Sequence, residues 1–467
     1  MWWQIVKWQL LLLGVFFFFR IFFSNNIQPT ILTIWLGFLF FYAYPLSYLF
    51  GRWRITNAFS QFQYLLILWF GITLALFIYF IRTRSLPLRF SRFLMYVFIA
   101  LTFFEGLKFM VKFSRNDYVS FNKKYRPENP IPPDTSSGIQ PGYPDIYYLV
   151  FDSYTSTACY RERFNYDNSI LDTLLRRQGF YVTTGSKSNY FDSPVSIASV
   201  FNLNYIPGAA QAKSENELTY FCGLRNLDHN HLWEFLEQKG YTIHNYSNFT
   251  IKDYPRQLAT VYFGKSDNEL LKHRTLENVA LPPLRSFFKP GTPPLPMDLR
   301  MEHKRSILKD TLIIEDALRR LAGKDNSQPV FVYSHCLLPH PPYVIDSTGK
   351  PNEKIHHNGY HPEAYIEQSI HVRQMILRWV ELIKKQTRRP FVILVQADHG
   401  YRYFKPEINP VSCFDILNAW YFSDRDYSGL YPTISSVNTY RVVLNKYFGM
   451  GMPMLKDTSY YPYLYGL

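Results

Sequence analysis

An acid and an imidazole stand side by side at the end of a strongly apolar run. Residues 390–400 read Pro-Phe-Val-Ile-Leu-Val-Gln-Ala-Asp-His-Gly. This composition predicts a buried parallel strand, and ligands of open α/β sheets gather beyond the carboxyl ends of such strands. Asp398 and His399 therefore stand where a metal ion or a substrate would bind, and Gly400 allows the chain to turn there without a Cβ clash. An Asx turn that merely closes the strand is the alternative interpretation.

Two other predicted strands also end in polar residues. The strand from Ile146 to Phe151 ends at Asp152, and the strand from Val330 to Tyr333 runs into a loop that carries His335 and His340. Each residue alone fits a turn or an exposed surface position. Together they predict oxygen and nitrogen ligands at one edge of a sheet, which suit one divalent ion such as zinc, manganese or magnesium.

Ser193 is the candidate nucleophile. Pro194 follows it, and because proline favours the first position of a helix, Ser193 is predicted to be the N-cap of a helix. The positive end of that helix would stabilise an alkoxide or a bound anion, and a metal ion would lower the pKa of the hydroxyl. A serine that only caps the helix is the alternative.

Around these residues, strand and helix patterns alternate. Such alternation predicts an α/β domain with a central, mostly parallel sheet between helices, over residues 145–467. A proline-rich segment at 276–298 interrupts it, and we interpret that segment as a lid, a loop that touches the bilayer, or an irregular surface loop. Residues 118–144, rich in proline, serine and glycine, are predicted to be a linker.

The N-terminal part, residues 1–117, is predicted to be a transmembrane region of about four helices. Four apolar segments occur there, approximately 5–23, 31–50, 62–81 and 93–111. The second and third are about 20 residues long without a charge, which is enough to cross about 30 Å of hydrocarbon. The fourth contains Glu105 and Lys108, which fit either interfacial snorkelling or a function inside the membrane.

The distribution of charge predicts which side the α/β domain occupies. Most of the net charge of +14 lies before residue 118, where it suits membrane flanks and anionic headgroups better than nucleic acid. The segment 82–92 holds four arginines and is therefore predicted to be cytoplasmic, which puts the α/β domain outside the cytoplasm. Only four cysteines are present and no CxxC pair, so a zinc ribbon is excluded and disulfide pairing stays open.

These motifs together resemble the alkaline phosphatase superfamily, and within it the sulfatase-like branch with membrane-anchored lipoteichoic acid synthases and phosphoethanolamine transferases. The matching residues are Asp152, Ser193 with Ser196, Pro339 to Tyr343, Asp398 to Gly400, and the strand Asn418 to Phe422. The resemblance implies that Asp152, Ser193, Asp398 and His399 bind the metal. It implies further that Ser193 is the nucleophile and that His340 contacts the transferred group.

The sequence departs from the sulfatases at two places. Ser153 stands where sulfatases have a second acid, and the segment from Ser193 to Ile197 lacks the proline and arginine of the formylglycine motif C/S-x-P-x-R. Desulfation through formylglycine is therefore not expected.

Three functions are compatible with this sequence. The leading prediction is a metal-dependent enzyme of a bacterial inner membrane that transfers a phospho-substituted lipid headgroup to an envelope glycan or lipid through a phosphoseryl intermediate. A phosphodiester or sulfate-ester hydrolase of the same fold is the first alternative. A catalytically silent membrane protein that binds glycan or lipid is the second.

Overall fold

A computed structural model describes residues 2–37, 62–83, 96, 124–133, 138, 140, 142–212, 222–260, 295–323, 328–356, 361–403 and 410–460. The chain divides into two compact units. The first comprises Met1–Asp117 with Lys265–Met301, and the second comprises Tyr118–Gly264 with Glu302–Leu467. The predicted lid at 276–298 lies mostly outside the described residues.

Helices make up the described part of the first unit. Helix α1 is Trp2–Arg20, α2 is Phe62–Arg82, and a further helical segment covers 27–37. Their buried apolar side chains form one cluster of Phe19, Phe23, Leu32 and Phe80. Among the described residues, no helix combines the length and the hydropathy needed to cross a bilayer. The transmembrane bundle stays a prediction, and most of its second and fourth segments lies outside the described residues.

The second unit is built on a six-stranded sheet in the order β2-β8-β7-β1-β4-β3. Strands β7, β1, β4 and β3 are parallel to one another, whereas β8 is antiparallel to β7 and β2. This confirms the predicted α/β domain with a mostly parallel sheet. A separate antiparallel pair is formed by β5 and β6. The strands are β1 Asp145–Phe151, β2 Tyr181–Val182, β3 Thr242–Tyr246, β4 Val330–Cys336, β5 Tyr343–Ile345, β6 Pro351–His356, β7 Phe391–Gln396 and β8 Asn418–Phe422.

Helices cover both faces of this sheet, as the period of two along β1 requires. Tyr147 and Leu149 belong to one apolar cluster, whereas Tyr148 and Val150 belong to a second cluster. Both faces of β1 are therefore buried, as expected for a central parallel strand. The helices of this unit are α3 Thr157–Phe164, α4 Ser169–Arg177, α5 Ser193–Phe201, α6 Arg225–Asp228, α7 His231–Gln238, α8 Leu295–Ala322 from Glu302 onward, α9 Pro362–Gln386 and α10 Thr439–Phe448.

Two local predictions differ from the structure. Helix α5 begins at Ser193, and its N-cap is Asp192, which has extended backbone angles. The prediction of Ser193 as N-cap is therefore wrong by one residue, because Pro194 is accepted within the first two helical positions instead of only at the first. Strand β4 also extends to Cys336, so that His335 lies in the strand and not in the loop after it.

The described part of the predicted linker packs within the second unit. Tyr125 and Ile131 are buried in the apolar cluster that also contains α7 residues. The Asn226 side chain donates a hydrogen bond to the Tyr125 carbonyl over 3.0 Å, and His231 Nε2 lies 3.2 Å from the Pro127 carbonyl. This stretch of the linker is therefore anchored to the domain.

Candidate metal centre

The three central strands bring the predicted ligands together. In the sheet β1 lies between β7 and β4, so the chain beyond β1 and the chain beyond β7 leave the same edge side by side. One ligand atom from each of Asp152, Asp398 and His399 lies within 4.8 Å of the others, and all three residues are buried. The carboxyl-end placement expected from the sequence is what assembles this cluster.

Backbone hydrogen bonds orient both members of the β7 pair. Asp398 Oδ1 accepts from the Ser153 amide over 3.1 Å and from the His399 amide over 2.9 Å, which leaves Oδ2 for the site. His399 Nδ1 lies 2.7 Å from the Gly400 carbonyl. Because a carbonyl only accepts, Nδ1 carries the proton and Nε2 presents a lone pair.

Several buried atoms in this cluster have no hydrogen-bond partner. They are both carboxylate oxygens of Asp152, Asp398 Oδ2, His399 Nε2, His335 Nε2 and Ser193 Oγ. Buried polar groups of native proteins are nearly always paired, so a convergent unpaired set requires an explanation. Oxygen and nitrogen acceptors of this kind match the ligand preferences of zinc, manganese and magnesium. The residues present therefore fit a divalent cation.

Ser193 lies against the same cluster, on the first turn of α5. Its side chain is fully buried, and its hydroxyl makes no capping bond. The hydroxyl is close enough to Asp398 to help lower the pKa of that carboxyl. The interpretation of Ser193 as a routine helix cap therefore does not apply.

His335 is a further member of the cluster, which the sequence placed among the polar strand ends but the resemblance did not include among the metal ligands. Its Nε2 lies 3.8 Å from Asp152 Oδ2 and 3.6 Å from Asp398 Oδ2. Its Nδ1 lies 2.9 Å from the Tyr333 hydroxyl, and this contact holds the ring with Nε2 toward the carboxylates. A histidine two residues after the predicted end of β4 was the sequence signal for this residue. The sequence does not show which face of the sheet it occupies, because that depends on the register of β4.

The pKa values of His335 and Asp398 are strongly shifted by their neighbours. Burial lowers the pKa of His335, but Asp152 and Asp398 raise it more, to about 9. Burial raises the pKa of Asp398, whereas the neighbouring imidazoles His399 and His335 lower it well below its usual range. Nearby positive charge thus stabilises the ionised carboxylates at this edge of the sheet. A bound divalent cation would provide that positive charge itself.

The backbone around the cluster is tightly constrained. Ser153 has a φ of 67°, a left-handed conformation that is costly for a residue with a side chain, and its amide in this conformation reaches Asp398. Gly400 is required by a close approach, because a Cβ there would lie 2.4 Å from the Asp415 carbonyl. Gly400 thus allows the chain after β7 to contact residues 412–415. That contact fixes the position of the neighbouring His399.

His340 lies next to the cluster and is held by its own neighbours. Its ring centroid is 6.5 Å from that of His399. Its Nδ1 lies 2.6 Å from the Pro341 carbonyl, and its Nε2 lies 2.5 Å from the Tyr403 hydroxyl and 3.2 Å from an Arg402 nitrogen. Burial lowers the pKa of His340 to about 4, so the ring is neutral at physiological pH. Arg402 and Tyr403 were not assigned from the sequence.

A scan against protein families identifies this region. Residues 185–410 match the family model Sulfatase. This part of the chain is similar to the sulfatases. The match includes Ser193, His335, His340, Asp398 and His399, whereas Asp152 precedes it. The predicted resemblance to the sulfatases is confirmed over these residues.

Similar folds are found among solved structures, and no curated protein matches the sequence. The C-terminal periplasmic domain of EptC from Escherichia coli, in complex with zinc, has a TM-score of 0.43 at 10% identity, covering 72% of this chain and 95% of that chain. The C-terminal periplasmic domain of the phosphoethanolamine transferase EptC from Campylobacter jejuni has a TM-score of 0.40 at 12% identity, with 70% and 95% coverage. An alkaline phosphatase superfamily protein from Vibrio parahaemolyticus has a TM-score of 0.38 at 14% identity, with 66% and 67% coverage.

Proposed function

We propose that the protein is a metal-dependent phosphotransferase that moves a phospho-substituted headgroup from a membrane phospholipid to an envelope glycan or lipid. The observation that carries this proposal is the buried Ser193 hydroxyl, unpaired and next to the unpaired atoms of Asp152, Asp398 and His399. A buried hydroxyl without a partner costs stability. Its position beside these atoms supports a catalytic role for it as the nucleophile.

Asp152, Ser193, Asp398 and His399 would hold the divalent cation, and His335 would stand beside them. When bound, the cation lowers the pKa of the Ser193 hydroxyl and stabilises the charge that develops on the phosphoryl oxygens. The residues themselves supply the orientation. The Gly400 carbonyl fixes the tautomer of His399, and the amides of Ser153 and His399 turn the free oxygen of Asp398 into the site.

The proposed reaction takes place in two balanced steps. Ser193 Oγ forms a bond to the phosphorus of the phosphodiester while the bond from phosphorus to the lipid alcohol breaks, and the serine proton passes in net terms to that alcohol. The headgroup phosphate is then esterified to Ser193. In the second step the hydroxyl of the acceptor takes the phosphoryl group and returns its proton to Ser193. Water as the acceptor would make the protein a hydrolase.

The absence of a formylglycine motif supports serine as the direct nucleophile. Val195 and Ile197 stand where that motif has proline and arginine. A membrane location outside the cytoplasm belongs to the same proposal. It is supported by two uncharged stretches of about 20 residues and by the four arginines between 82 and 92. An alkaline phosphatase reporter joined after Leu467 should be active, and an inactive reporter in an intact fusion protein would place the domain in the cytoplasm.

Headgroup transfer can be tested with the full-length protein in vesicles that contain a radiolabelled phospholipid headgroup. We expect label on the Ser193 peptide early and on an added glycan or lipid acceptor later. Label that appears only in free headgroup phosphate would support the hydrolase. No label on protein, acceptor or water, together with bound glycan or lipid, would leave the catalytically silent alternative.

A further inference from the structure

We propose that Arg402 binds the non-bridging phosphoryl oxygens of the substrate and that His340 positions its guanidinium. This inference rests on the proposed function, since it names the residue that would recognise the phosphodiester. The resemblance to known families implies that His340 itself contacts the transferred group. The geometry of His340 points to Arg402 instead.

His340 has no ring proton to offer a phosphate. Its Nδ1 proton goes to the Pro341 carbonyl, because a carbonyl can only accept. Its Nε2 is then a lone pair, which accepts from the Tyr403 hydroxyl and from Arg402. A lone pair repels phosphoryl oxygens, so His340 in this arrangement serves as an acceptor for its neighbours.

Arg402 is anchored at two points beside the nucleophile. One terminal nitrogen donates to the Phe191 carbonyl over 2.8 Å, two residues before Ser193, and the other lies 3.2 Å from His340 Nε2. A guanidinium has five N–H donors in a planar fork, and these two contacts use only two of them. Arg402 is also partly exposed, whereas Asp152, Ser193 and His399 are buried. Arg402 therefore lies on the side of the cluster that is nearer to solvent.

The charges near Arg402 favour a substrate with one negative charge. Burial lowers the pKa of Arg402, but its neighbours raise it more, so the guanidinium stays charged; these neighbours are Tyr403, Asp192 and Asp152. Two carboxylates, Asp152 and Asp398, would balance a divalent cation, and Arg402 adds one positive charge. Asp192 next to Arg402 would repel a second negative charge on the substrate. A monoanionic phosphodiester fits this balance better than a dianionic phosphomonoester.

The test compares R402M and R402K with R161M in the full-length protein, loaded with Mn²⁺ in detergent micelles. Arg161 is a matched control because its guanidinium makes an exposed ion pair with Asp167. Binding of dimethyl phosphate is followed by ³¹P NMR, and turnover of bis(p-nitrophenyl) phosphate is compared with that of p-nitrophenyl phosphate. Charge-assisted hydrogen bonds predict that R402M weakens dimethyl phosphate binding by roughly tenfold to a hundredfold at unchanged metal content. R402K should lie between R402M and the wild type, and R161M should equal the wild type.

The two readouts separate this inference from the proposed function. Suppose that R402M loses dimethyl phosphate binding and that the wild type turns over neither ester. This result would support anion binding by Arg402 and refute the transferase. Wild-type binding and turnover in R402M would overturn the role of Arg402 and leave the transferase standing. Equal loss of diester and monoester turnover in R402M would overturn the selectivity argument.

The positioning role of His340 is tested by a double-mutant cycle. H340Q places an acceptor oxygen near the position of Nε2, so it should retain more dimethyl phosphate binding than H340A. H340A in the R402M background should cause little additional loss, because His340 acts through Arg402. Fully additive losses would show that His340 contacts the anion directly and would overturn its positioning role.

Discussion

The hydroxyl of Ser196 donates a hydrogen bond to the backbone carbonyl of Asp398. Both residues are buried, and they come from helix α5 and from the exit of β7. This bond ties the helix that carries the nucleophile to the segment that carries two metal ligands. Ser196 lies one helical turn after Ser193, so the same turn of α5 supplies the reactive hydroxyl and its attachment to the metal site.

Replacement of Ser196 by alanine tests this attachment. S196A leaves the buried Asp398 carbonyl without its side-chain donor, so we expect a loss of about 1–3 kcal/mol in the free energy of unfolding and a weaker metal site. Urea unfolding and metal titration measure the two effects. S199A is the matched control, since Ser199 is equally buried on α5 but donates within the helix to the Ser196 carbonyl. A metal affinity that S196A and S199A change equally would count against the attachment.

The metal site predicts that ligand substitutions remove stabilisation by metal. A cation that binds only the folded state stabilises it by about 2.7 kcal/mol at a concentration 100 times its dissociation constant. D152N and D398N should largely lose the metal-dependent increase in Tm. D316N should keep it, because Asp316 only pairs with Arg320 on the exposed side of α8. An unchanged increase in D152N and D398N would show that the cation binds elsewhere.

A site residue could be predicted from the sequence when its position depends on its neighbours in the chain, and not when it depends on distant contacts. Asp398 and His399 were found because a strand and its polar end are consecutive in the chain. Ser193 was found one position away from its true place in α5, because proline is compatible with more than one early helical position. The sequence predicted the class of sheet but not the order of its strands. Alternation of strands and helices predicts parallel strands, but it does not show which strands pair.

The remaining residues could not be found locally. His335 faces the carboxylates only through the register of β4 against β1, in which it lies opposite Val150. Arg402 reaches Phe191 across 211 positions of the chain, a contact that no periodicity encodes. The packing of Tyr125 and Ile131 against α7 was likewise hidden, because a proline-rich composition does not reveal a docking partner.

His335 gives the metal-free protein a distinctive dependence on pH. Its pKa is raised from 6.5 to about 9, so the stability that it contributes is present below pH 6.5 and is lost as the pH rises through 9. The loss can reach about 1.4 kcal/mol per pH unit. Thermal unfolding of chelator-treated protein between pH 6 and pH 10 should show this decline, and H335Q should flatten it. A decline of the same size in H335Q would assign it to another group.

The same proton opposes the binding of a cation. At neutral pH the metal-free site holds a proton on His335, which a cation beside Asp152 and Asp398 must displace. The apparent metal affinity should therefore rise with pH up to about 9. Calorimetry in buffers of different ionisation enthalpy would count the released protons. H335Q should release about one proton fewer than the wild type, whereas equal release would exclude His335.

The C-terminal segment fixes the loop that precedes the nucleophile. Asn189 donates to the Thr458 carbonyl over 2.8 Å and to the Ser435 hydroxyl over 3.2 Å, and its side-chain oxygen accepts from the Val437 amide over 2.7 Å. N189A removes these contacts of a buried amide and should destabilise the protein by about 2–4 kcal/mol. N189D keeps the acceptor for the Val437 amide but sets a carboxylate oxygen against the Thr458 carbonyl, so it should cost at least as much. N204A, which breaks contacts of a half-buried side chain, is the control in urea unfolding.

A decrease in turnover would link this segment to catalysis. If the loop positions Ser193, N189D should lower kcat more than it changes KM, because the substrate still binds while the nucleophile is misplaced. Unchanged kcat in a destabilised N189D protein would limit the segment to a structural role.

Substitutions of Ser193 separate the possible nucleophile chemistries. S193A removes the attacking oxygen and should abolish turnover, while the fold is preserved because the hydroxyl does not cap α5. S193T keeps a hydroxyl and should retain part of the activity, limited by the space for one additional methyl group at a fully buried position. Activity is measured with bis(p-nitrophenyl) phosphate, and unfolding by urea confirms that the variants are folded.

Mass spectrometry of the Ser193 peptide identifies the intermediate itself. After a brief incubation with phospholipid vesicles, the wild-type peptide should carry the mass of the headgroup phosphate, and the S193A peptide should not. Ser196 and Ser199 lie on the same peptide segment, but their hydroxyls donate to the carbonyls of Asp398 and Ser196, so fragmentation should place the adduct on Ser193. An aldehyde at position 193 would indicate formylglycine chemistry instead, and full activity of S193A would remove serine from the mechanism.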